Sequence, residues 1–118
     1  MATRLYSLGA AEEVTGSRHI LEHDHNRFMI DCGAFQGRRD EAEEKNRNWK
    51  LDNEGLDAVV VTHAHFDHCG LVPLLHQKGY EGNIYSTSAT RDLASLIMMD
   101  SAHIQAKDIE YLAKKARK

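Results

Sequence analysis

Apolar and polar residues alternate over Arg4-Leu5-Tyr6-Ser7-Leu8, the period of two expected of a strand with one covered face. Gly9-Ala10-Ala11 then reads as a small-residue turn. Arg18 to Glu22 and Arg27 to Asp31 flank His23-Asp24-His25-Asn26, whose Asp and Asn favour a hairpin turn. Asp57-Ala58-Val59-Val60-Val61-Thr62 contains an unbroken apolar run of the kind buried in a parallel sheet, and it is the strongest strand signal in the chain. Leu71 to Lys78 predicts a short helix with Pro73 in its first turn and Gly79 past its end, starting where an anion or a substrate oxygen would be favoured by the helix N-terminus. Asn83 to Ser86 predicts a short strand. Thr87 or Ser88 caps a long helix whose apolar stripe is Leu93, Leu96, Ile97, Ile104, Tyr111 and Leu112. Between these elements, Arg38 to Asn53 is strongly charged and reads as a solvated loop or short helix, with Glu41 and Lys45 in a favourable i, i+4 order and Trp49 packing onto the domain. The expected class is α/β, a mixed sheet with flanking helices.

Composition narrows this modestly. With 118 residues, 42% of them hydrophobic, the chain can bury one core and amounts to one domain or less. No apolar stretch approaches the roughly 20 residues of a membrane span, so no membrane partner is expected, and Glu12 and Glu13 interrupt anything like a signal peptide. Cys32 and Cys69 lack CxxC spacing and fit reduced thiols, hence a cytoplasmic setting. Both read as small core side chains in preference to ligands or redox groups. A formal charge of −3 does not announce a nucleic-acid binder, so attraction to a polyanion would have to be local.

The chemistry concentrates in His63-Ala64-His65-Phe66-Asp67-His68, directly after the valine run. As a strand, a period of two would put His63, His65 and Asp67 on one face and His68 on the other. As a helix, His63 and His65 would point about 200° apart. A loop closing at the strand end lets His63 and His65 reach one metal ion while Asp67 and His68 turn to a second. Imidazole and carboxylate donors suit zinc best, with iron or manganese as substitutes. Asp31 also ends an apolar run, Phe28-Met29-Ile30, where active sites of α/β sheets tend to lie. Taken alone, it could equally cap a turn before Gly33.

The His63-x-His65-x-Asp67-His68 pattern resembles the main metal motif of the metallo-β-lactamase fold. Gly9-Ala10-Ala11-Glu12-Glu13-Val14-Thr15-Gly16-Ser17 and Asp31-Cys32-Gly33-Ala34-Phe35-Gln36-Gly37 are similar to its β-CASP branch of RNA-processing and DNA-repair nucleases, in wording closest to the RNA-directed members. Asp100-Ser101-Ala102-His103-Ile104-Gln105 also resembles bacterial and archaeal members. Family members are several times longer, so the resemblance implies that residues 1–118 form the N-terminal portion of a metallo-β-lactamase domain, half of its αβ/βα fold, without the rest of that domain or the β-CASP insert. It further implies two zinc ions in the complete site, His63 and His65 on the first, Asp67 and His68 on the second. Asp67 would also orient the nucleophile. Asp31 would support the metal loop by hydrogen bonding and not ligate, and Gly16 and Ser17 would bring backbone close to that loop.

The implied function is metal-dependent hydrolysis of RNA phosphodiester bonds, by exo- or endonuclease action on single-stranded RNA, in a complete protein that would be a homodimer. Further histidines, a bridging aspartate and a group assisting the leaving oxygen have no position in this chain, which alone is expected to be inactive. The alternatives are a catalytically inactive metal- or partner-binding fragment, or a hydrolase of the same fold acting on another substrate. His23 and His25 read as surface histidines. His76 reads as structural or exposed, and His103 with Asp100 as a helix-surface pair. Lys114-Lys115-Ala116-Arg117-Lys118 reads as a solvated helix end that offsets the dipole, or as a contact to RNA phosphate.

Overall fold

The computed structural model describes residues 2–10, 14–37, 45–46 and 55–117. The strands β1 (Thr3–Gly9), β2 (Arg18–His23), β3 (Asn26–Ile30), β4 (Ala58–Val60) and β5 (Ile84–Tyr85) form one sheet in sequence order. β1, β2 and β3 are antiparallel neighbours, whereas β3, β4 and β5 run parallel, so the sheet is mixed, as expected. The hairpin closes at the His23↔Asn26 pair. Asp24 takes the left-handed conformation there at φ 53°, one that a short polar side chain tolerates better than most. Glu41 and Trp49 lie outside the described residues.

Three helices follow β4: α1 (Phe66–Cys69), α2 (Val72–Gln77) and α3 (Ser88–Ala116). The register sets Ile20 opposite Met29 and Met29 opposite Val59, and this row across three strands is fully buried. Cys69, Leu71, Val72, Leu75 and Tyr80 cover it. Among the described residues only that face of β4 is covered, and Val60 is 37% exposed between the buried Val59 and Val61. The valine run therefore belongs to a one-sided sheet among the described residues and pairs as a strand over just Ala58–Val60, shorter than the expected Asp57–Thr62.

Thr87 caps α3, its hydroxyl oxygen accepting from the Thr90 amide at 3.3 Å. The face that packs is Thr90, Ala94, Ile97 and Met98, which shares only Ile97 with the expected stripe. Leu93, Leu96, Ile104, Tyr111 and Leu112 are all at least half exposed. Small Thr90 and Ala94 let the helix approach closely, and a helix of 29 residues, roughly 43 Å at 1.5 Å per residue, outruns the body it leans on. An open cleft of about 610 Å³ separates its second half from α1 and α2, with Phe66, Leu74, Met98 and Ile109 on its walls.

Candidate metal centre

Asp31 is the hub of the site. It follows β3 with φ +63°, an uncommon backbone that short polar residues tolerate better than most, and is 3% exposed. Its amide continues the parallel ladder to the Val60 carbonyl at 2.8 Å, after which the left-handed residue turns the chain beneath the metal loop. The carboxylate then faces that loop. Oδ1 accepts from the Thr62 amide at 2.7 Å and from the Thr62 hydroxyl at 3.0 Å, while Oδ2 accepts from the same hydroxyl and from His68 Nδ1, each at 2.8 Å.

The segment after Asp31 is laced to the metal loop through main chain. Cys32 and Ala34 amides donate to the His68 and Phe66 carbonyls at 2.9 and 3.2 Å, and the Leu71 amide donates back to Cys32 at 2.9 Å. That last bond occupies the amide of the residue capping α2. Gly33 lies so close that a Cβ there would fall 1.6 Å from the Asp67 carbonyl oxygen. The amide of Ser17 donates to that same oxygen at 3.0 Å and its carbonyl accepts from Gly33 at 3.0 Å, so the expected approach of Gly16-Ser17 to the loop is present. Gly16, at φ +79°, has the Phe35 ring 2.4 Å from where a Cβ would stand. Thr15 fastens the arrangement by bonding both the amide and the carbonyl of Gln36.

On this frame the loop presents its side chains. His63 and His65 lie edge to face with ring centroids 4.8 Å apart, and His63 and His68 are 3.9 Å apart. His68 Nε2 is 3.4 Å from Asp67 Oδ2. Asp31, His63 and His68 offer donor atoms within 4.8 Å of one another. His65 and Asp67 adjoin that group without joining it. His63, Asp67 and His68 are half-buried, and His65 is exposed. Burial pushes the Cys32 thiol up strongly, a rise that nearby Arg18 partly counters; burial and then the Asp31 and Asp67 carboxylates push Cys69 up. Thiols held protonated are poor ligands, consistent with core roles. His23, His25, His76 and His103 are exposed and lie outside the group.

A model of the metallo-β-lactamase superfamily matches residues 15–110. The chain belongs to that superfamily. Its relatives include the ribonuclease TTHA0252 of Thermus thermophilus, 41% identical over 101 residues that cover 86% of this chain and 23% of that protein. They also include the transcription termination factor FttA of Methanocaldococcus jannaschii, 40% identical over 114 residues that cover 94% of this chain and 18% of that protein. The chain thus spans about a fifth of the length of these relatives. Among solved structures, the metallo-β-lactamase fold protein YhfI from Bacillus subtilis superposes with a TM-score of 0.53 at 23% identity, covering 76% of this chain and 38% of that one. The RNA-directed wording of the Val14-Thr15-Gly16-Ser17 and Asp31-to-Gly37 segments agrees with relatives of these names.

A metallo-β-lactamase chain needs imidazole nitrogens with open lone pairs, and the donor set here meets that test. His68 turns Nδ1 to Asp31 and so leaves Nε2 facing Asp67. The Asp31 carboxylate has both oxygens engaged by Thr62 and His68, which suits it to orient ligands better than to be one. Sequence reasoning passed over Thr62. Its one available signal was position, the last residue of the β-branched run before His63.

Proposed function

We propose that this chain contributes the first metal ligands of a zinc-dependent hydrolase that cleaves RNA phosphodiester bonds. The observation that carries the reading is the gathering of His63, His65, Asp67 and His68 at a strand end above a buried carboxylate, in a chain similar to a ribonuclease and a termination factor. His63 and His65 would hold one zinc ion, Asp67 and His68 a second. When bound, zinc supplies Lewis acidity and a water acidic enough to ionise near neutral pH. Asp67 accepts a hydrogen bond from the attacking water and aims it at phosphorus, and Asp31 fixes the ring of His68. Residues 1–118 form the opening portion of the domain in this reading. The remaining ligands and the group protonating the leaving oxygen come from sequence that the longer relatives have beyond the matched region. Single-stranded RNA is the substrate, and the complete protein is a homodimer. The free, buried Cys32 and Cys69 fit a reducing cytoplasm, and among the described residues no helix is long and apolar enough to cross a membrane.

The test is turnover of single-stranded RNA by the protein expressed from its full reading frame. Asp67→Ala is expected to abolish cleavage while leaving the far-ultraviolet spectrum and unfolding midpoint close to wild type. Cleavage at near the wild-type rate by that variant overturns the role of Asp67. A wild-type protein that binds zinc and cuts no RNA favours a binding chain without turnover.

A further inference from the structure

We infer that Thr62 is a positioning residue that relays the Asp31 carboxylate to His63 and fixes the tautomer of that ring, leaving its Nε2 lone pair open for the metal; this rests on the metal site proposed above. The Thr62 hydroxyl lies 2.8 and 3.0 Å from the two Asp31 oxygens and 3.0 Å from His63 Nδ1. A hydroxyl carries one proton and accepts through its lone pairs, whereas an ionised carboxylate only accepts. The Thr62 proton therefore goes to Asp31. At the imidazole the hydroxyl is left as an acceptor, and His63 Nδ1 must be the donor. In a neutral ring that assigns the proton to Nδ1 and the free lone pair to Nε2.

The same carboxylate reaches His68 directly, at 2.8 Å from Nδ1. One buried aspartate thus sets both rings in the same sense, His68 by contact and His63 through a hydroxyl. The Thr62 amide to Oδ1, at 2.7 Å, anchors the relay from the main chain, so the side-chain oxygen can be removed without freeing the loop from Asp31. Valine has the shape of threonine and lacks the oxygen. Serine keeps the oxygen and lacks the methyl.

The experiment uses the protein from its full reading frame as wild type, Thr62→Val, Thr62→Ser and His63→Ala. Two readouts are taken. Without metal, 15N-imidazole correlation spectra at about pH 8, where imidazole is neutral, report the tautomer of His63. Zinc titration by calorimetry reports affinity. In wild type and Thr62→Ser, His63 is expected with its proton on Nδ1; in Thr62→Val, the Nε2-protonated form becomes populated. Zinc affinity is expected to fall about 10–100-fold in Thr62→Val, the range for losing such an outer partner, and to return in Thr62→Ser. If His63→Ala loses zinc while Thr62→Val binds like wild type with an unchanged tautomer, the relay is wrong and the metal site stands. If wild type and His63→Ala bind zinc equally, the assignment of His63 as a ligand fails and takes the relay with it. A Thr62→Val protein that does not fold leaves the comparison of tautomers to wild type and Thr62→Ser, where an Nε2-protonated His63 overturns the inference.

Discussion

Replacing Asp31 by asparagine isolates what the carboxylate does. Asparagine tolerates the left-handed backbone at φ +63° about as well as aspartate, and its Oδ1 can keep the bonds from the Thr62 amide and hydroxyl at 2.7 and 3.0 Å. The change falls on the other oxygen, which accepts from the Thr62 hydroxyl and from His68 Nδ1, each at 2.8 Å, and becomes an NH2 donor. Two donors cannot share that bond, so the ring is expected to move its proton to Nε2 and accept from Asn through Nδ1. The contact survives as a neutral hydrogen bond, roughly half as strong as the charge-assisted one, and stability should drop by only about 1–2 kcal/mol. Metal affinity should suffer more. The Nε2 lone pair toward Asp67 is now protonated, and restoring it costs about 1.5–3 kcal/mol, the worth of a hydrogen bond to a charged group, or roughly 10–100-fold in affinity. The assays are urea unfolding in chelator and zinc titration by calorimetry. Asp31→Asn binding zinc as tightly as wild type would refute the role of Asp31 in setting His68, and a large loss of stability in chelator would show that the carboxylate holds the fold more than the ligand.

Gly33→Ala places a methyl 1.6 Å from the Asp67 carbonyl oxygen, so the metal loop must shift and lose main-chain bonds from Ser17 and Cys32; a stability loss of about 4 kcal/mol or more with loss of zinc binding is expected by urea unfolding and calorimetry, and a variant with wild-type values would contradict the packing. Burial, then Tyr85 and Asp57, push the Tyr80 phenol up, and its hydroxyl donates to the Asn83 carbonyl at 2.6 Å. A raised folded value means that the phenol's contribution is full below the ordinary tyrosine range, about pH 10, and is lost as pH rises through the folded value. Urea midpoints should thus fall above about pH 10, and Tyr80→Phe should lessen that fall; an equal slope in the variant would rule the phenol out. Leu96, Met99, Ile109 and Tyr111 are 65–71% exposed on α3, so residues 1–118 alone should self-associate, and Leu96→Lys with Ile109→Lys should lower the mass seen by light scattering. A monomer at the highest soluble concentration would speak against that.

The fold was legible wherever local pattern and packing agreed. The hairpin closed where its Asp and Asn fell, and Thr87 capped the long helix because its side-chain oxygen reaches Thr90. Pattern failed on α3. Leu93, Leu96, Ile104, Tyr111 and Leu112 have helical spacing, but spacing says only that they share a face, not that anything covers it. What settles the packing face is close approach, and Thr90 and Ala94 won it by being small. The valine run misled for a related reason. Three apolar residues in a row fit a strand covered twice, and here the described elements cover β4 once, leaving Val60 at the surface.

The site divides along another line. His63, His65, Asp67 and His68 stand out as candidates because ligand chemistry is carried by side-chain type, which a sequence displays. Their support is carried mostly by main chain. Ser17 acts through its amide and carbonyl, Cys32 through its amide and carbonyl, and Gly33 through the absence of a Cβ. Such contributions have no side-chain signature, so only closeness in the fold exposes them. Thr62 sits between the two cases. Its side chain does carry the chemistry, yet a threonine at the end of a valine run reads as one more β-branched strand residue. Its hydroxyl gains meaning only once Asp31, 31 positions earlier, is folded against it. The buried carboxylate is what ties a strand-forming residue into the proposed ligand shell, and the left-handed turn at Asp31 is what brings that carboxylate there.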